Sequence, residues 1–189
     1  PLIADKKWAL ENMYKKIVLL LATISLLSLP SISEATTVSR QLVKDYSFED
    51  NSGYWDGDGD WRSTLFHAKT GSWYAELWPE EDDIMSVTQR VKVPKKIKSL
   101  KFSFWYQFNS VDYESISDDF CSVEIGNDFY DSWHPGDEET FGWEKYVTQL
   151  PIKKYKGKTV DIEFTCITDY SLDTWLQVDN VKLKAKVKK

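Results

Sequence analysis

Leu-Lys-Phe-Ser-Phe-Trp-Tyr-Gln-Phe, residues 100–108, alternates without a break. Leu100, Phe102, Phe104, Tyr106 and Phe108 fall on one side, and Lys101, Ser103, Trp105 and Gln107 on the other. A period of two marks a strand, and a wholly apolar side set against a mixed side marks a sheet that buries one face. The mixed side carries a tryptophan between a serine and a glutamine, which suits a surface exposed to a ligand. The stretch is expected to be a central strand.

Working outward, the same reading gives strands at residues 72–78, 87–93, 121–125, 143–150, 159–166 and 175–183, with a first one around Ser47, Phe48 and Glu49. Turn chemistry separates them: Asn51-Ser52-Gly53, the acidic glycine run at 56–60, and two long acidic, aromatic loops at 109–119 and 126–142. No segment keeps a helical period. Short strands punctuated by Gly, Pro, Asn and Asp predict an all-β sandwich or barrel. With 189 residues, 42% of them hydrophobic and 15% aromatic, the chain can fill one core. A formal charge of -6 argues against a broad basic face for nucleic acid and makes polyanions poor partners.

The first 35 residues read as a leader. Lys15 and Lys16 precede an apolar run at 17–29, followed by Pro30 and by Ser33-Glu34-Ala35, with small residues where a signal peptidase reads. Thirteen helical residues rise about 20 Å, short of the roughly 30 Å of a bilayer core. The expected division is therefore an upstream extension at 1–12, a signal peptide at 13–35, and a single domain at 36–189 with a Lys-rich end. The product is expected to be secreted, without a stable membrane span and monomeric.

The ordered segments DYSFEDNSGYW, AKTGSWYAEL, SVTQRVKVP, LKFSFWYQF, CSVEIG, GWEKYVTQLP, GKTVDIEFT and LQVDNVKL together resemble a galactose-binding-like jelly roll, the fold of many carbohydrate-binding modules of secreted glycoside hydrolases. The resemblance spans residues 42–183 and implies two antiparallel sheets. It also implies a structural calcium, with Glu49 and Asp179 as side-chain ligands and backbone oxygens near Lys69 and Ser72 completing the shell. The run at 56–60 imitates an EF-hand loop but has Trp61 where the glycine belongs and His67 where the closing glutamate belongs, so it fails as one.

Strand parity supplies the candidate ligand site. If residues 72–78, 100–108, 121–125 and 159–166 share one jelly-roll sheet, its outer face gathers Tyr74, Glu76, Trp78, Trp105, Gln107, Glu124, Asp161 and Glu163. Aromatic planes bordered by carboxylates and amides suit a pyranose, which offers C–H faces and a rim of hydroxyls. The plainer alternative is that these aromatics only cover the sheet beneath a loop.

Cys121 and Cys166 fall on the core side of their strands, and jelly-roll order is expected to set them on either side of residues 100–108, near opposite ends. That separation exceeds the reach of a disulfide, so two buried free thiols are expected, with a bond the alternative. Catalysis is not expected. Carboxyl pairs are available, but no Glu-x-Asp-x-x-Glu strand motif appears, and His67 and His134 are isolated. The sequence reading is a secreted, non-catalytic module that binds a polysaccharide or other glycan. The alternative is a structural or adhesive surface protein assembling through the same face.

Overall fold

The computed structural model describes residues 36–111, 118–136, 140, 142–170 and 173–188. The leader and upstream extension lie outside the described residues, as does most of the loop at 109–119. Among the described residues, eleven strands and one short helix follow in order. They are β1 (Thr37–Gln41), β2 (Asp56–Gly57), β3 (Arg62–Ser63), β4 (Tyr74–Leu77), β5 (Ile84–Lys92), β6 (Ile97–Ser110), β7 (Phe120–Ile125), β8 (Asp128–Trp133), β9 (Glu144–Gln149), α1 (Ile152–Tyr155), β10 (Thr159–Ile167) and β11 (Thr174–Lys188).

Two antiparallel sheets result. One runs β3-β4-β11-β6-β9, with β1 also on β11; the other runs β2-β5-β10-β7-β8. From β6 onward the chain passes repeatedly between the sheets, which is jelly-roll wiring and confirms the predicted all-β sandwich. Leu100, Phe102, Phe104 and Phe108 of β6 meet Val160, Ile162 and Phe164 of β10 in one core. The alternation therefore holds on both facing strands, as burial of one face demands.

Four details differ from expectation. The segment around Ser47, Phe48 and Glu49 is a turn, with Phe48 at φ 59°, and the first strand is β1 instead. β6 is central as expected, flanked by β11 and β9, but β11 has more partners, with β6 along one edge while β4 and β1 share the other. The expected loop at 126–142 contains β8, hidden from a periodicity reading by a bulge in β8 itself: Val123 and Glu124 face Asp131 and Phe129, which leaves Tyr130 as the extra residue.

The fourth difference is a bond. Cys121 and Cys166 form a disulfide, with Cα atoms 4.0 Å apart. The expectation of two free thiols is overturned because the cysteines do not flank β6. They lie on β7 and β10, neighbours in the opposite sheet and directly opposed in register. In an antiparallel pair the start of one strand meets the end of the other, which brings Cys121 onto Cys166.

Candidate functional site

Register across β4, β11 and β6 builds the outer face of the first sheet in rows. Gln177 pairs with Glu76 on one side and Gln107 on the other, and Trp175 pairs with Asn109. The middle row is a hydrogen-bonded chain: Gln107 Nε2 donates to Gln177 Oε1 at 3.2 Å, and Gln177 Nε2 donates to Glu76 Oε1 at 2.7 Å. Gln177 is thus fixed at both ends, while the side-chain oxygen of Gln107 stays outside the chain.

Above this floor is a pocket of about 390 Å³ lined by Phe66, His67, Gln107, Asn109, Trp143, Trp175 and Gln177. Trp78, 42% exposed, stacks on Trp175 with ring centroids 5.0 Å apart. Trp143 is held by its indole N–H, which donates to the His67 carbonyl at 2.9 Å, and its ring meets Tyr74 edge-on. Two fixed indoles, amides at the base and an exposed phenyl ring can stack apolar C–H faces and hydrogen-bond hydroxyls.

The structure divides the eight predicted ligand residues. Gln107 lines the pocket, Glu76 supports its floor, and Trp78 braces one wall. Tyr74 is fully buried, its hydroxyl donating to Glu76 and lying within hydrogen-bond reach of the Ser63 hydroxyl and the Phe66 amide. For Tyr74 the covering role is the observed one. Trp105 shares the face, but the Lys69 ammonium sits 3.8 Å from its ring centroid.

Glu124, Asp161 and Glu163 are elsewhere. They sit on β7 and β10 in the opposite sheet, so the single surface expected from parity does not exist. Parity gives the side of a sheet; it does not say which sheet a strand joins. There Asp161 forms a bidentate pair with Arg90, which holds its carboxyl below the ordinary value. Burial, then the charges of Glu124, Asp161 and Asp58, raise that of Glu163.

Sequence reading missed Phe66, His67, Asn109, Trp143, Trp175 and Gln177. Trp175 and Gln177 were within reach, since they share one parity in a strand already read as such. Phe66 and His67 sit on a connecting segment that has no period to read.

The two expected calcium ligands converge on the loop at 70–73. Glu49 Oε1 accepts the Ser72 and Trp73 amides at 2.9 and 2.8 Å. Asp179, fully buried, accepts the Thr70 amide at 2.7 Å and the Asn180 amide at 2.5 Å. Burial pushes the Asp179 carboxyl up to about 6, with those amides opposing and the Glu49 charge adding. A Cβ at Gly71 would stand 2.3 Å from Glu49 Oε1, so the loop closes on that carboxylate only with glycine there. Two carboxylates of hard oxygen, the buried one made costlier to ionise by the charge of the other, fit a divalent cation. Among the described residues no cluster of three or more His, Cys, Asp or Glu forms, so a metal here needs backbone oxygens as well.

No protein-family model matches the chain, and no curated protein does. Among solved structures it is similar to TmCBM61 in complex with β-1,4-galactotriose, at 18% identity over 76% of this chain and 97% of that one, with a TM-score of 0.51. The K3 cleaved adhesin domain of Lys-gingipain from Porphyromonas gingivalis w83 gives 16%, 78%, 98% and 0.49. The Stig cyclase Fisc from Fischerella sp. TAU gives 13%, 82%, 100% and 0.48. Only the first exceeds a TM-score of 0.5, and at 18% identity it bears on fold alone. The chain has the two-sheet sandwich fold of a carbohydrate-binding module, and it carries an aromatic pocket on the outer face of one sheet.

Proposed function

We propose that the protein is a secreted, non-catalytic module that binds a glycan in the pocket between Trp143 and Trp175. The observation that carries this reading is the pocket itself, with indole walls over a floor of Gln107, Asn109 and Gln177. The likeness in fold to TmCBM61, a structure described with a galactose trisaccharide, agrees with it. Export is supported by the disulfide, a bond that persists in oxidising compartments.

Affinity electrophoresis against a panel of neutral and acidic polysaccharides tests the reading. Trp175→Ala is expected to weaken binding of the best polymer about 30-fold, the equivalent of roughly 2 kcal/mol for an aromatic anchor. Unchanged mobility shifts in that variant would move the site elsewhere. Oligomers or filaments without any polysaccharide binding would favour the adhesive alternative.

A structural calcium belongs to the same proposal, held by Glu49 and Asp179 with backbone oxygens near Lys69 and Ser72. The ion would tie the turn after β1 and the loop at 70–73 to β11. Calcium at about 100 times its dissociation constant stabilises a folded protein by about 2.7 kcal/mol, or roughly 5 to 10 °C for a domain of this size. Differential scanning calorimetry with calcium and with chelator should show that rise in the parent and lose it in Asp179→Asn. Equal transitions in the two buffers would leave these carboxylates as anchors of the loop only.

A further inference from the structure

β11 does not keep one parity along its length. A bulge between Asp179 and Lys182, with Asn180 at φ 57°, inserts one extra residue. Before it Leu176 and Val178 face the core; after it Val181, Leu183 and Ala185 do. The shift puts Lys182 and Lys184 on the same outer face as Trp175 and Gln177. Without it they would point inward.

On that face the lysines gather. A groove adjoining Trp105 is lined by Lys101, Lys145, Lys182 and Lys184, with Ser103 and Asn180. Lys101 stands directly opposite Lys184 in the β6–β11 register, and like charges so placed destabilise a sheet. Among the described residues the ion pairs are Arg90–Asp161 and Lys154–Asp128, and neither includes a lysine of the groove. A chain with 30 acidic and 24 basic residues has acids to spare, yet places none in the groove lining.

We propose that this groove is an anion subsite on the same sheet face as the aromatic pocket, beyond the Trp105–Asp179 row, and that the ligand is an acidic polysaccharide carrying carboxylate or sulfate groups. The inference rests on the glycan-binding reading and narrows it. Gln107 of the pocket and Ser103 of the groove are four residues apart on β6, about 13 Å along a strand, within the span of a short oligosaccharide. One sugar ring stacks between the indoles while the charged groups of its neighbours lie over Lys101, Lys145, Lys182 and Lys184. Net charge alone points away from polyanions. The local field of the groove is what an approaching ligand meets within a Debye length of about 8 Å. Burial, then the Lys184 and Lys145 charges, press the Lys182 ammonium below its ordinary value against the smaller opposing pull of the Asp179 charge, and a bound anion relieves the like-charge contribution.

The test is titration calorimetry of the protein with polygalacturonan and chondroitin sulfate, set against neutral β-1,4-galactan, polyglutamate and single-stranded DNA, at low and high salt. The expected result is preference for an acidic glycan, weakening with salt, and a loss of about 10-fold in Lys182→Gln/Lys184→Gln, about 1.4 kcal/mol, with a thermal transition no lower than the parent's. The carboxylated and sulfated arms identify which anion is read. Neutral galactan bound equally well and indifferent to the lysine variant overturns this inference and leaves the glycan-binding reading standing. Equal binding of polyglutamate or DNA also overturns it, since the groove then reads charge and not a sugar. Binding of no polymer overturns both.

Discussion

Replacing Cys121 and Cys166 together by alanine is expected to cost about 4 kcal/mol, the chain-entropy value for a bond closing a loop of this length. The two cysteines are 45 residues apart in sequence and join adjacent strands of one sheet. The intervening chain nevertheless leaves that sheet to form β9 in the other before returning as β10. The bond therefore restricts the unfolded chain across elements of both sheets, a restriction that hydrogen bonding between β7 and β10 alone does not supply. Because both cysteines are fully buried on the core side, alanine also removes two sulfur atoms from packed surroundings. At 2 to 4 °C per kcal/mol for a domain of this size, the melting temperature should fall by roughly 8 to 16 °C. Chemical denaturation of the oxidised parent and the double variant measures it. A difference under about 1 kcal/mol would mean the unfolded chain is already compact enough for the crosslink to restrict little.

What was legible in the sequence follows from what alternation can encode. In β6 and β10 each step between Phe and Lys or between Ile and Glu is a step between core and solvent, so both strands and their buried sides could be read directly. Partner choice has no such local signature. Nothing within residues 159–166 distinguishes a neighbour of β6 from a neighbour of β7, and that one ambiguity misplaced Glu124, Asp161 and Glu163 and separated Cys121 from Cys166. Bulges erase parity where they occur. One at Tyr130 hid β8, and the one after Asp179 turned Lys182 and Lys184 outward. The pocket suffered from both limits, since Gln177 depends on β11 lying between β4 and β6, while Trp143 and His67 are brought together by a single indole hydrogen bond between residues 76 positions apart in the chain.

Phe104 and Trp105, adjacent in β6, should respond to truncation in opposite ways. Phe104 is fully buried where the two sheets meet. Its ring stacks on Tyr146 of β9 at 5.0 Å and meets Phe164 of β10 edge-on at 5.0 Å and Trp133 of β8 edge-on at 6.2 Å. Phe164 and Trp133 belong to one sheet, Tyr146 and Phe104 to the other, so this ring spans the interface that makes the fold a sandwich. Phe104→Ala is expected to cost about 3 to 5 kcal/mol, because rigid strands on both sides cannot close over the space it leaves. Trp105, one residue on, faces outward under Lys69, and its removal loses a cation–π contact and some cross-strand packing, about 1 kcal/mol together. Urea denaturation of both variants separates the two effects. Comparable losses would mean that the outer face of β6 is packed as the core is, and Trp105 would then have no place beside the anion groove as a surface open to a ligand.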